Sequence, residues 1–191
     1  MMIAEIHEHL LTALVKSTDT PAQGTVLGNL VRMIRQMASA YESDGLLFLA
    51  SGDEVNALAS FWYAFGWLHF GYAYGLITGP QPRICPAPGS GDRFLPASRV
   101  ALEEKTLRYM RLLNTARISI VCSPERETGA GEFAERVLFI AGIFGQQGER
   151  YLISGREEDA LACFSYGHGW LDAAVTSGLF RIVAEHDLFT I

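Results

Sequence analysis

The chain has 191 residues, 49% hydrophobic and 19% charged, with a formal net charge of −6. That composition suits one medium domain or two small ones with a proper core, and its acidic balance, without a Lys/Arg run, argues against a nucleic-acid partner. Cys85, Cys122 and Cys163 are odd in number and lack CxxC spacing, so they read as reduced thiols of a cytoplasmic protein.

The first helix is announced by Ile3, Ile6, Leu10 and Leu14, apolar residues three and four apart. Its acidic residues and histidines differ from the basic start of a signal peptide. His7 and His9 lie two apart, point to different helix faces and make a poor chelate. Thr20-Pro21 forms a turn, and a second helix spans roughly Val26 to Ala50 with Leu30, Ile34, Met37 and Tyr41 along one stripe. Gly52 suits the left-handed position that closes it, and Asp53 can cap the next helix. The third helix is expected from about Glu54 to Ile77. Ala57 to Ile77 has the length of a membrane span but is diluted with Gly, Tyr and Trp, so it reads as a buried helix of a soluble protein.

A Pro/Gly-rich linker, 80–98, carries Pro80, Pro82, Pro86 and Pro88. Three more helices are expected beyond it: Val100 to Val121, about Glu132 to Ile153, and Glu157 to Val183. Strand signals are weak throughout.

The second set repeats the first. Gly66-Trp67-Leu68 returns as Gly169-Trp170-Leu171, and Gly75-Leu76 as Gly178-Leu179, at one shift of 103 residues (169 − 66 = 103). Leu49, Ser51, Gly52 and Glu54 match Leu152, Ser154, Gly155 and Glu157 at the same shift, without a gap. A period this long marks two copies of a small domain rather than a solenoid of short repeats. The expected fold is therefore all-α: two tandem antiparallel up-and-down three-helix bundles, 1–79 and 99–191, related by internal duplication.

The segment Phe164-Ser165-Tyr166-Gly167-His168-Gly169-Trp170-Leu171-Asp172-Ala173, closing on Gly178-Leu179-Phe180, resembles the C-terminal signature of an archaeal family known as domain of unknown function 357. Leu102 to Phe180 resembles one complete copy, and Ile3 to Ile77 a more diverged one with His69 where Asp172 stands. The resemblance implies a three-helix bundle and an archaeal source. It implies no reaction.

The glycines Gly66, Gly71, Gly75, Gly167, Gly169 and Gly178 would each cost roughly 1 kcal/mol inside a helix, which points to close helix–helix approach. Tyr166, His168 and Asp172 form the candidate polar site. His168 and Asp172 are four apart and share a helix face, where they could hold a metal, orient an imidazole or make a surface hydrogen bond. Tyr63 and Tyr166 are shared between copies and read as packing anchors through their hydroxyls. Arg181 and His186 have a spacing similar to that of the HEPN ribonucleases, but copy one has Thr78 and Arg83 near the corresponding positions. No Walker loop, GxSxG elbow or HExxH is present, so no cofactor or metal is expected.

The third helices diverge on one face. Trp62, Phe65, His69 and Ala73 become Ser165, His168, Asp172 and Thr176, while Phe70 and Tyr74 become Ala173 and Ser177. The copy-two face reads as solvated. The copy-one face, with Trp62, Phe65, His69, Phe70 and Tyr74, reads as a covered surface, its cover being the other bundle or a second chain. The functional expectation is a non-enzymatic interaction or scaffold module, with a protein partner or self-association through helix faces and no membrane. Two alternatives stand beside it: a small apolar-ligand binder using the aromatic third helix of copy one, and an enzyme acting on nucleotides or RNA through Tyr166, His168 and Asp172.

Overall fold

In a computed structural model, residues 3–81, 86 and 98–189 are described. Copy one contains α1 (Ile3–Lys16), β1 (Thr18–Asp19), α2 (Val26–Ala50), α3 (Glu54–Ala73) and β2 (Ile77–Thr78). Copy two contains α4 (Arg99–Ile118), β3 (Ile120–Cys122), α5 (Gly129–Ile153), α6 (Glu157–Thr176), β4 (Phe180–Ile182) and a 3₁₀ turn (His186–Leu188). Helix packing is that of two three-helix bundles. Cys85, Arg83 and most of the 80–98 linker lie outside the described residues.

Local chemistry explains the helix ends. Thr25 and Thr128, one repeat apart, accept hydrogen bonds from the backbone N–H of Gly28 and Gly131, both at 3.0 Å, and so cap α2 and α5. Gly52 and Gly155 take φ of +80° and +69° beyond those helices. Asp53 caps α3 by accepting from the Asn56 N–H at 3.0 Å. Its counterpart Arg156 cannot do so and pairs instead with Asp159, three residues on.

Three expected helices end early. The first and third helices of copy two stop at Ile118 and Thr176, and the third helix of copy one stops at Ala73. The chain beyond enters short antiparallel ladders, Thr18 opposite Thr78 and Asp19 opposite Ile77 in one copy, Ile120–Cys122 against Phe180–Ile182 in the other. Gly75 and Gly178 sit at these exits with φ of +77° and +80°, so they serve turns and not helix contacts.

The core is continuous across both copies. Phe61 and Phe164 are each fully buried, and a Cβ on Gly45 or Gly148 would fall 2.3 or 2.5 Å from their rings. In each copy, then, α2 or α5 meets the third helix ring against glycine. The two third helices then pack on one another. No helix among the described residues is long and apolar enough to cross a membrane.

Candidate functional site

The contact between α3 and α6 is built from residues the duplication pairs. A Cβ on Gly66 would lie 2.5 Å from the Tyr166 carbonyl oxygen and 2.9 Å from Gly169 Cα; one on Gly169 would lie 2.4 Å from the Tyr63 carbonyl oxygen. Only hydrogen fits at either place. Three residues before Gly66, the Tyr63 hydroxyl donates to Oδ2 of Asp172, three residues after Gly169. Three residues after Gly66, His69 Nδ1 lies 2.9 Å from the Tyr166 hydroxyl, three residues before Gly169. Steps up one helix meet steps down the other, so α3 and α6 run antiparallel about a local two-fold through the two glycines.

That arrangement covers the aromatic face of copy one. Trp62 is 1% exposed and Phe65 0%, with the Trp62 ring edge-on to Tyr166 at 6.2 Å. Phe70 meets Trp170 edge-on at 5.9 Å, and Tyr74 stacks on Phe133 of α5 at 4.7 Å. The cover is the other copy. The expectation that the copy-two face is solvated is corrected: Ser165, His168 and Asp172 are 0%, 5% and 2% exposed. A covered face need not be apolar where its polar groups find partners, as Asp172 finds the Tyr63 hydroxyl across the contact and His168 the Leu188 carbonyl.

The candidate polar residues are not grouped as expected. Tyr166 belongs with His69, and it is Tyr63 of copy one that joins Asp172 and His168. His168 Nε2 lies 3.1 Å from the Leu188 carbonyl oxygen, an acceptor, so this nitrogen carries the proton. Asp172 Oδ1 is 4.0 Å from the same nitrogen. The Leu188 carbonyl comes from the C-terminal turn, anchored where the Val183 N–H donates to the Ser119 carbonyl at 2.8 Å. Sequence periodicity did not reach this contact, because it depends on the pairing of two helices and on the turn His186–Leu188.

Around this trio lies a cleft of about 130 Å³, lined by Tyr41, Tyr63, Tyr109, Leu112, His168, Asp172 and Leu188. Burial pushes the Tyr109 phenol above its ordinary range, with nearby Tyr41 adding and the Arg108 charge opposing. A larger groove of about 420 Å³ runs between the start of α3 and α4, past Asp53, Lys105 and Arg108. Burial and neighbouring Arg108 pull the Lys105 ammonium below its ordinary range, against Asp53 and Glu104. Of the remaining candidates, His7 Nε2 meets Glu42 at 2.6 Å and His9 is exposed. Arg181, in β4, stands opposite Val121 of β3, and His186 is exposed in the 3₁₀ turn. Among the described residues no group of three or more His, Cys, Asp or Glu side chains could hold a metal ion.

Fold and contact together define a class: a duplicated three-helix unit whose copies associate through their third helices. Comparison with protein families gives the same partition. The model of a protein of unknown function (DUF357) matches residues 7–77 and again 108–180, more than half of the chain, and the chain belongs to that family as two tandem copies. No curated protein and no solved structure matches it.

Proposed function

We propose that this protein binds a small ligand in the cleft at Tyr63, His168 and Asp172. One observation carries the reading: the two copies fill the same place differently. Tyr41, Tyr63, Tyr109, His168 and Asp172 correspond by the repeat to Phe144, Tyr166, Ile6, Phe65 and His69. Rings pack on rings at both places, Tyr41 against Tyr63 at 4.3 Å and Phe144 against Tyr166 at 4.5 Å, but only on the latter side does a further ring pair, Phe65 against His69 at 5.4 Å, complete the packing. Where Phe65 gives way to His168 and His69 to Asp172, two polar side chains line a cleft in place of that ring pair. The ligand is small, since enclosed sites for nucleotide- or drug-sized molecules run to about 300–1,000 Å³.

The apolar-ligand alternative loses its site, because Trp62 and Phe65 are covered by α6. The scaffold reading keeps a different support. Phe139 and Ile143, four apart on α5, are 68% and 44% exposed, a surface open to a protein partner or a second copy.

A fragment screen by NMR on the wild type and on His168→Phe tests the cleft. His168→Phe installs the residue of the other copy and should abolish the binding of cleft fragments while the chain stays folded. If every fragment bound by the wild type is bound equally by His168→Phe, the cleft is not the site.

A further inference from the structure

We propose that the cleft takes a small organic ammonium group, a step that rests on the cleft being a ligand site. Its walls include the rings of Tyr41, Tyr63 and Tyr109 and the carboxyl of Asp172, and none of its lining residues is Lys or Arg. Aromatic faces carry negative potential and attract a cation within about 6 Å, most strongly when desolvated. Tyr109 already shows this behaviour, with the Lys105 ammonium 5.3 Å from its ring centroid. Asp172, 2% exposed and accepting from the Tyr63 hydroxyl, is the one acidic side chain of the lining.

Other ligand classes fit less well. An anion would meet the Asp172 carboxyl and three phenol rings. A purely apolar guest would make no use of the Asp172 carboxyl or of the three tyrosine hydroxyls among the lining residues. A hard metal ion needs about six oxygen ligands, and the lining offers one carboxylate. The volume of about 130 Å³ suits a headgroup of a few heavy atoms. The other copy replaces Asp172 with His69 and Tyr109 with Ile6, so one site per chain is expected.

The test titrates the full chain with tetramethylammonium chloride by calorimetry and NMR, against sodium chloride at equal ionic strength and tert-butanol as a neutral molecule of similar shape. One cation should bind per chain, with an affinity no tighter than about micromolar for so small a ligand. tert-Butanol should bind about tenfold more weakly or less. Asp172→Asn should weaken the cation at least about tenfold. Because that change also touches a core hydrogen bond, Tyr109→Ile at the half-buried mouth provides a second variant, expected to weaken binding about fivefold. Methylammonium binding more tightly than tetramethylammonium supports the same site, recognising a primary amine by hydrogen bonds. Equal binding of tert-butanol, or unchanged cation affinity in folded Tyr109→Ile, overturns the ammonium assignment. Fragments that are neutral or anionic, and that His168→Phe abolishes, overturn it too while leaving the cleft as a ligand site.

Discussion

The Tyr63 hydroxyl donates to Asp172, and the counterpart of Tyr63, Tyr166, meets the counterpart of Asp172, His69. Residue i of one copy contacts j of the other, and j contacts i, which is the signature of an isologous two-fold interface. The chain thus has the internal geometry of a symmetric dimer whose two subunits are joined in sequence. Its partners have since diverged, one contact keeping a carboxyl and the other an imidazole.

A separated copy should therefore look for the face it has lost. Residues 98–191 expressed alone expose Tyr166 and Asp172, which can pair reciprocally with a second copy as Tyr63 and Asp172 do here. Residues 3–81 alone expose Trp62, Phe65 and Phe70, all at most 1% exposed in the intact chain. Sedimentation should find each piece self-associated, and mixing the two should yield a one-to-one complex. A stable monomer of either piece would contradict this packing.

The glycine pair on the axis gives a sharper test. Alanine normally stabilises a helix interior by about 1 kcal/mol over glycine. Gly66→Ala and Gly169→Ala should do the reverse, losing more than about 2 kcal/mol, because each Cβ would fall within 2.5 Å of a backbone carbonyl oxygen. Gly142→Ala is the control: its Cβ would meet only the guanidinium end of the Arg117 side chain, at 3.1 Å, and no backbone. Urea unfolding of the three variants decides the matter; if Gly66→Ala is as stable as the wild type, the helices do not touch there.

The two hydroxyl contacts should also be separable. Tyr63→Phe removes a donor from the buried Asp172 carboxyl and should lower stability by about 1–3 kcal/mol. Tyr166→Phe removes a contact to an imidazole and should lower it by about 1 kcal/mol. The pairs lie on opposite sides of the axis, so the double variant should be additive within about 0.5 kcal/mol. A larger Tyr166→Phe effect would reverse the assigned order.

The helices, the repeat and the burial of Trp62 and Phe65 were legible in the sequence, because apolar spacing and duplication both report on packing. The ladders were not. Each has two or three residues per strand, and Ile120–Cys122 and Phe180–Ile182 carry on the apolar character of the preceding helices, the second beyond the turn at Gly178. The candidate site was half legible: His168 and Asp172 are four apart on one helix, but Tyr63, Tyr41 and Tyr109 come from three other helices. Their meeting depends on Gly66 lying over Gly169, and polarity alone placed His168 and Asp172 wrongly in solvent.

Alkaline pH should expose two opposing titrations beside the cleft. Burial holds the Tyr109 phenol above its ordinary 10.0, so above pH 10.0 the unfolded chain loses a proton that the folded chain keeps. The folded state then binds more protons, and stability falls as pH rises. Burial holds Lys105 below its ordinary 10.5, so between its folded value and 10.5 the unfolded chain keeps a proton that the folded chain has released. Stability there rises with pH, and the cost of burying the charge is fully present at neutral pH. Tyr109→Phe should lessen the fall and leave the rise. Lys105→Met should raise the urea midpoint at neutral pH and leave the fall. Urea midpoints across an alkaline series read both, and tyrosinate absorbance should lose a component that titrates above 10.0 in Tyr109→Phe. If the alkaline fall persists unchanged in that variant, Tyr109 is not the group that holds its proton at the mouth of the cleft.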